Sequence, residues 1–254
     1  MAASLAAHVA LVTGGARGIG LASAQALAEM GAAVVVADLD LPAAEAAAAE
    51  LSQRGFEALA VSLDVASEAS IDAAFAALDA RFARLDVLVN NAGMARRRAA
   101  VEAEREDWNA VIGVNVTGAF FVAQAAARRM MAGGRGGAIV NLASIMGMVG
   151  GGLAPNVSYQ TSKGAIVNMT RGLAVEWGPQ SIRVNAVAPS YVRTRLTEGL
   201  FAQSELVERL MTMTPLGLLP EAEDVAAAIA FLASPAARAI TGVVLPVDGG
   251  YLAQ

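Results

Sequence analysis

The 254-residue chain has no cysteine, one histidine (His8) and one lysine (Lys163), its other basic residues all being arginine. Without cysteine there is no disulfide framework, no thiolate nucleophile and no thiolate metal site. With His8 alone, at the start of a strand-like run and with no partner implied, a Ser-His-Asp mechanism and a multi-histidine zinc site drop out; no metal is expected. A net charge of −5 gives no general attraction for nucleic acid or anionic lipid. The opening MAASLAAHVA lacks a basic n-region and leads straight into a strand-like run, so no signal peptide and a cytoplasmic location are expected. A mean hydropathy of +0.52 raises the question of a membrane span, and residues 136–162 carry no charge at all. Asn141, Ser144, Gly150, Gly151, Gly152 and Pro155 break that stretch well short of the roughly 20 apolar residues a span needs.

What is present is alternation. β-Branched runs at 9–12, 33–37, 58–63, 86–90, 138–142, 182–187 and 243–247 are separated by Ala-rich helical stretches near 19–30, 43–53, 68–82, 103–131, 159–177 and 222–233. Gly31, Gly55 and Gly178 stand as helix stops, the last reinforced by Pro179. This βαβ pattern predicts an α/β fold. With 56% hydrophobic residues, one core can be filled, and no boundary or repeat divides residues 1–254, so a single domain is expected. Only the segment at about 190–220 interrupts the alternation, as a candidate substrate lid.

The chemistry begins with Val9 to Thr13 followed by Gly14-Gly-Ala-Arg17-Gly18-Ile19-Gly20, a glycine-rich turn between strand and helix. Such a turn lets the backbone approach a pyrophosphate closely and aims helix N-terminal amides at it. Asp38 closes the next strand, about 20 residues on, where a carboxylate binds ribose hydroxyls and repels a 2′-phosphate. NAD is therefore expected over NADP. Arg17 is the competing residue, since a guanidinium there can face a 2′-phosphate; Asp40 reads as solvated surface. Tyr159 and Lys163 are four apart, on one helical face, where a compact ammonium can sit close beneath a hydroxyl.

Gly14-xxx-Gly18-x-Gly20, Asn90-Asn91-Ala92-Gly93, Ser144 and Tyr159-xxx-Lys163, in that order, resemble the short-chain dehydrogenase/reductase family over essentially the whole chain. The resemblance extends to Asp64-Val65, Asn115, Asn185 and the ending Thr241-Gly242…Val247-Asp248-Gly249-Gly250. It implies a Rossmann-type doubly wound sheet of about seven parallel strands with helices on both faces. It implies Tyr159 as general acid/base, Lys163 lowering its pKa, Ser144 holding the substrate oxygen, and Asn115 holding a water against Lys163. Asp64 and Val65 would contact adenine, Asn91, Ala92 and Gly93 would support the cofactor, and Pro189, Val192 and Thr194 would lie by the nicotinamide. One departure is visible: after Pro189 the family commonly has glycine, where close backbone approach or positive φ is allowed, and this chain has Ser190.

The uncharged segment then becomes one wall of the site, with Met146, Met148, Val149 and Leu153, and the lid adds Tyr191, Leu196, Leu200 and Met211. Such a wall suits a neutral substrate. The leading expectation is an NAD-dependent dehydrogenase of a polyol or similar secondary alcohol, to which Met213-Thr-Pro-Leu-Gly217 through Tyr251 is similar. Its competitors are an NADPH-dependent 3-oxoacyl-carrier-protein reductase docking through Arg128, Arg129 and Arg135, and a non-catalytic NAD-binding regulator, which would be expected to lose Tyr159 or Lys163. Arg96, Arg97 and Arg98 read either as a solvated loop or as attraction for an anionic substrate. The family habit implies a homotetramer packed through the helices near 103–131 and 159–177, with Ala123, Ala126, Ala127, Ala165 and Gly172 permitting close approach.

Overall fold

In a computed structural model describing residues 4–254, the valine-rich runs form β1 (Val9–Thr13), β2 (Ala33–Asp38), β3 (Ala58–Ser62), β4 (Val87–Asn90), β5 (Gly137–Leu142), β6 (Ile182–Pro189) and β7 (Val244–Val247). All pairings are parallel, and the order is β3-β2-β1-β4-β5-β6-β7. Side chains alternate across the sheet, so each strand feeds two cores. Val9, Leu11, Val35 and Leu88 face α3 (Glu68–Arg81), α5 (Ala119–Gly133) and α6 (Val157–Trp177). Ala10, Val12, Val34, Val36 and Val89 face α1 (Gly18–Glu29), α2 (Leu41–Gln53) and α9 (Ala222–Ala233). This is the doubly wound arrangement. The chain order reverses at β1, between β2 and β4, which opens a crevice at the carboxyl ends of those strands.

The helix expected over 103–131 is interrupted. It runs as α4 (Arg105–Ile112), a π-helical turn (Gly113–Gly118) holding Asn115, and then α5. The run Arg105–Gly133 is long and apolar enough to cross a membrane by length and composition. Its inner face, however, is core: Val122, Ala123, Ala126 and Met130 are fully buried beside the sheet. Ala123, Ala126 and Ala127 therefore cannot meet a symmetry mate, whereas Ala165 is half-buried and Gly172 exposed. Gly178 stays right-handed and starts a short 3₁₀ turn, and the left-handed residue that ends it is Ser181 (φ 61°). The 190–220 segment contains two short helices, α7 (Glu198–Phe201) and α8 (Ser204–Thr212).

Candidate active site

The glycine turn after β1 curls around the end of the sheet with Gly14 at φ 60° and Gly18 at φ 49°, conformations that L side chains resist. A Cβ on Gly14 would come within 2.9 Å of Asn91 Nδ2, and one on Gly20 within 2.0 Å of the Gly14 carbonyl. Asn91 ties the cradle down: its Nδ2 donates to the carbonyls of Thr13 and Gly14, 2.9 Å each. Thr13 Oγ1 in turn accepts from the amides of Asn91 and Ala92 at 3.0 Å. Asp38 accepts from Ala16 N on one oxygen and Asp40 N on the other, both at 3.1 Å, so its carboxylate is fixed at the edge of the cradle.

Asp40 is more than solvated surface. It caps α2 through Ala43 N and pairs with Arg17, whose hydrogen bond holds its carboxyl below the usual range. Arg17 thus faces Asp40 across an exposed ion pair.

A groove runs from this cradle past Asp64 and Val65, along Asn91 to Gly93, to Tyr159, Lys163 and Thr194. Arg17, Ile19 and Asp38 also line it. A glycine-rich cradle with a fixed acid at its ribose end fits a dinucleotide. Gly20, Pro189 and Val192 do not line the groove: Gly20 packs under Gly14, Pro189 is buried at the end of β6, and Val192 lies in the core on the α1 and α9 side. Leu39, Met94, Val114, Leu142 and Arg195 line it without having been singled out in the sequence. Apolar and loop residues of this kind carry no spacing signal of their own.

At the far end, α6 presents Tyr159 and Lys163 on one face, with Nζ 5.5 Å from the ring centroid. Lys163 is 4% exposed, its Nζ donates to the Leu142 carbonyl at 2.5 Å, and burial pushes its pKa down to about 8. Burial raises the Tyr159 pKa above that of a free phenol, opposed by the neighbouring Ser144 hydroxyl and by the charge of Arg97. Lys163 Nζ lies over the Tyr159 ring.

Asn115 has both side-chain N–H groups engaged, with Met94 O and Ser162 Oγ at 2.9 Å, while its Oδ1 accepts from Met94 N at 2.8 Å. The missing side chain of Gly93 leaves a space 3.4 Å from that Oδ1 and 3.8 Å from Lys163 Nζ.

A second cavity meets the groove at Tyr159 and is lined by Ser144, Met146, Leu153, Tyr191, Leu196 and Leu200. Ser144 caps the turn after β5, its Oγ accepting from Met146 N at 3.1 Å. Met148, Val149 and Met211 are partly exposed and do not reach this cavity. Ser190 has no positive φ, so its position does not demand glycine; its amide donates to Val247 O at 3.2 Å.

The family model described as Enoyl-(Acyl carrier protein) reductase matches residues 14–252. A cis-4-hydroxycyclohexanecarboxylate dehydrogenase of Sinomonas cyclohexanicum is 45% identical over 254 residues, covering 100% of both chains. A galactitol 2-dehydrogenase (L-tagatose-forming) of Cereibacter sphaeroides is 43% identical over 242 residues, covering 95% of this chain and 94% of the relative. Among solved structures, a gluconate 5-dehydrogenase from Burkholderia cenocepacia J2315 in complex with NADP and tartrate superposes with a TM-score of 0.95 at 37% identity, covering 100% of this chain and 98% of that one.

Proposed function

The chain belongs to the short-chain dehydrogenase/reductase family and is an NAD(P)-dependent dehydrogenase acting on CH–OH groups; on that premise we propose that it oxidises a hydroxylated secondary alcohol with NAD. The observation that carries the reading is that Tyr159 lines both the dinucleotide groove and the second cavity, with Ser144 beside it and Lys163 behind it.

Gly14, Gly18 and Asp38 would hold the pyrophosphate and ribose, and Thr194 would lie by the nicotinamide, which when bound supplies the hydride acceptor. Ser144 Oγ positions the substrate oxygen and stabilises charge that develops on it. The Tyr159 hydroxyl oxygen takes the alcohol proton as the carbon gives up hydride, which leaves a ketone. To act as a base at neutral pH the phenol must overcome its burial, and a nearby cation favours the phenolate. Lys163 is that cation when protonated, and the space beside Gly93, bordered by Lys163 Nζ and Asn115 Oδ1, suits onward passage of the proton.

Asp38 supports NAD, because its fixed carboxylate repels a 2′-phosphate and the neighbouring Arg17 charge is paired with Asp40. The carrier-protein reductase reading is weaker, since Arg129 of its docking surface is clamped on Asp79 and stacked on Phe75. A homotetramer remains our expectation, supported by exposed Phe121 on α5 and Val175 on α6, and sedimentation tests it.

The test is reduction of NAD or NADP followed by absorbance at alkaline pH, across polyols, hydroxy acids, simple secondary alcohols and hydroxyacyl thioesters. NAD-linked oxidation of a hydroxylated alcohol, abolished by Tyr159→Phe, is expected. NADP-linked turnover confined to thioesters would overturn the proposal.

A further inference from the structure

Three consecutive arginines stand between β4 and α4, and they do different things. Arg96 pairs with Asp107 at 3.4 Å, and Arg98 pairs with Glu104 and, at 3.2 Å, with Asp107. Both charges are spent on acids of the loop and α4. Arg97 points the other way. Its Nη2 donates to the Leu196 carbonyl at 3.0 Å, and it forms no ion pair among the described residues. It lines the same cavity as Tyr159 and Ser144, and it is the one charged side chain among the described residues that does so. Its field reaches the hydroxyls of both Tyr159 and Tyr191. The apolar wall expected from the uncharged segment is present, but the cavity also carries one cation.

Asn156 and Ser190 also line the cavity, each with one side-chain oxygen that is buried and meets no protein partner; ordered water satisfies such atoms as readily as a ligand does. A guanidinium with N–H donors to spare matches a carboxylate, which it can bind through two parallel hydrogen bonds.

We propose that the substrate is a hydroxy acid: Arg97 binds its carboxylate, and Tyr159 and Ser144 receive the secondary alcohol to be oxidised. This rests on the reading of Tyr159 and Ser144 given above and adds the substrate's charge. The carbon bearing the alcohol loses a hydride to NAD, its oxygen loses a proton to Tyr159, and a keto acid results with the carboxylate unchanged.

The test compares a panel of aldonates with their matching alditols, using the full chain with saturating NAD, for the wild type, Arg97→Gln and Arg97→Lys. Wild type should favour an aldonate over its alditol by about tenfold or more in kcat/KM, and Arg97→Gln should erase that preference mainly by raising KM, about 10- to 100-fold. Alditol turnover should fall far less than aldonate turnover, by the part that the Arg97 charge contributes to the Tyr159 phenolate, and Arg97→Lys should keep part of the preference. Equal use of both substrates by wild type would overturn the inference. So would an equal loss on both in Arg97→Gln, which would make Arg97 only a brace for Leu196.

Calorimetric binding to Tyr159→Phe with NAD separates this inference from the one beneath it. If Tyr159→Phe still turns over, the catalytic reading has failed. If it is inactive yet binds aldonates and alditols alike, with or without Arg97, only the carboxylate inference has failed.

Discussion

Replacing Lys163 by methionine keeps an unbranched apolar stem and removes the ammonium, which isolates the consequence of burying that charge. Burial lowers the Lys163 pKa from 10.5 to about 8. Below about pH 8 the group holds its proton in both folded and unfolded chains, so its contribution to stability does not vary with pH. Between about 8 and 10.5 the unfolded chain retains a proton that the folded chain has released, so the wild type gains stability as pH rises, by roughly 1.4 kcal/mol per unit. The full gain is about 3 kcal/mol. Lys163→Met has no such term.

Urea unfolding of both proteins from pH 7 to about 10 reads the difference directly. The offset at pH 7, which contains the lost bond to Leu142 O, cancels when slopes are compared. Tyr159, whose pKa is raised, contributes only as the unfolded phenol ionises near 10, and it is common to both chains. A wild-type curve that climbs relative to the variant above pH 8 is expected. A constant difference across the range would refute the claim that Lys163 is buried at a cost. Turnover by the variant should be lost at every pH.

Asp38→Ala should weaken NAD by about tenfold, the equivalent of about 1.4 kcal/mol, and improve NADP, because the ribose partner and the repulsion of a 2′-phosphate disappear together; KM for the two cofactors measures it. Gly147→Ala should destabilise the fold by about 1–3 kcal/mol and depress kcat, because its Cβ would fall 2.5 Å from the backbone of Lys163; paired denaturation and kinetics test both parts. A Gly147→Ala protein with native stability would show that this turn yields without disturbing α6.

The strand and helix pattern was legible because parallel strands buried on both faces read as short apolar runs, and the Ala-rich crossovers between them are amphipathic or buried. The cradle was legible for a related reason: Gly14 and Gly18 occupy conformations that restrict residue choice. Other features left no mark in the spacing. The π-helical turn at Gly113–Gly118 differs from an α-helix by one hydrogen-bond step, which residue types do not encode. Small residues at 123, 126 and 127 suited a helix pressed against a partner as well as one pressed against its own sheet, and the structure shows the second. Within Arg96, Arg97 and Arg98 the sequence offers three equal charges, and only the positions of Asp107 and Glu104 single out the middle one.

The same distinction explains why one lysine survives among so many arginines. Arg183 is the instructive contrast, for it too is partly buried, on β6. Its guanidinium forks across the carbonyls of Leu232, Ala233 and Ser234 at 2.6, 3.1 and 3.2 Å, where α9 ends and its unpaired carbonyls carry partial negative charge. Several acceptors in one arc hold a permanent planar charge in place. Lys163 has one protein acceptor, Leu142 O, and its ammonium has three hydrogens, so two remain for the groove it faces. With a pKa near 8 it can also lose its proton within reach of neutral pH, which a guanidinium cannot. Arginine therefore serves wherever this chain needs a charge that stays, as at Arg183, Arg129 and Arg97. Lysine stands at a buried position from which, on the mechanism proposed above, the proton must be able to leave.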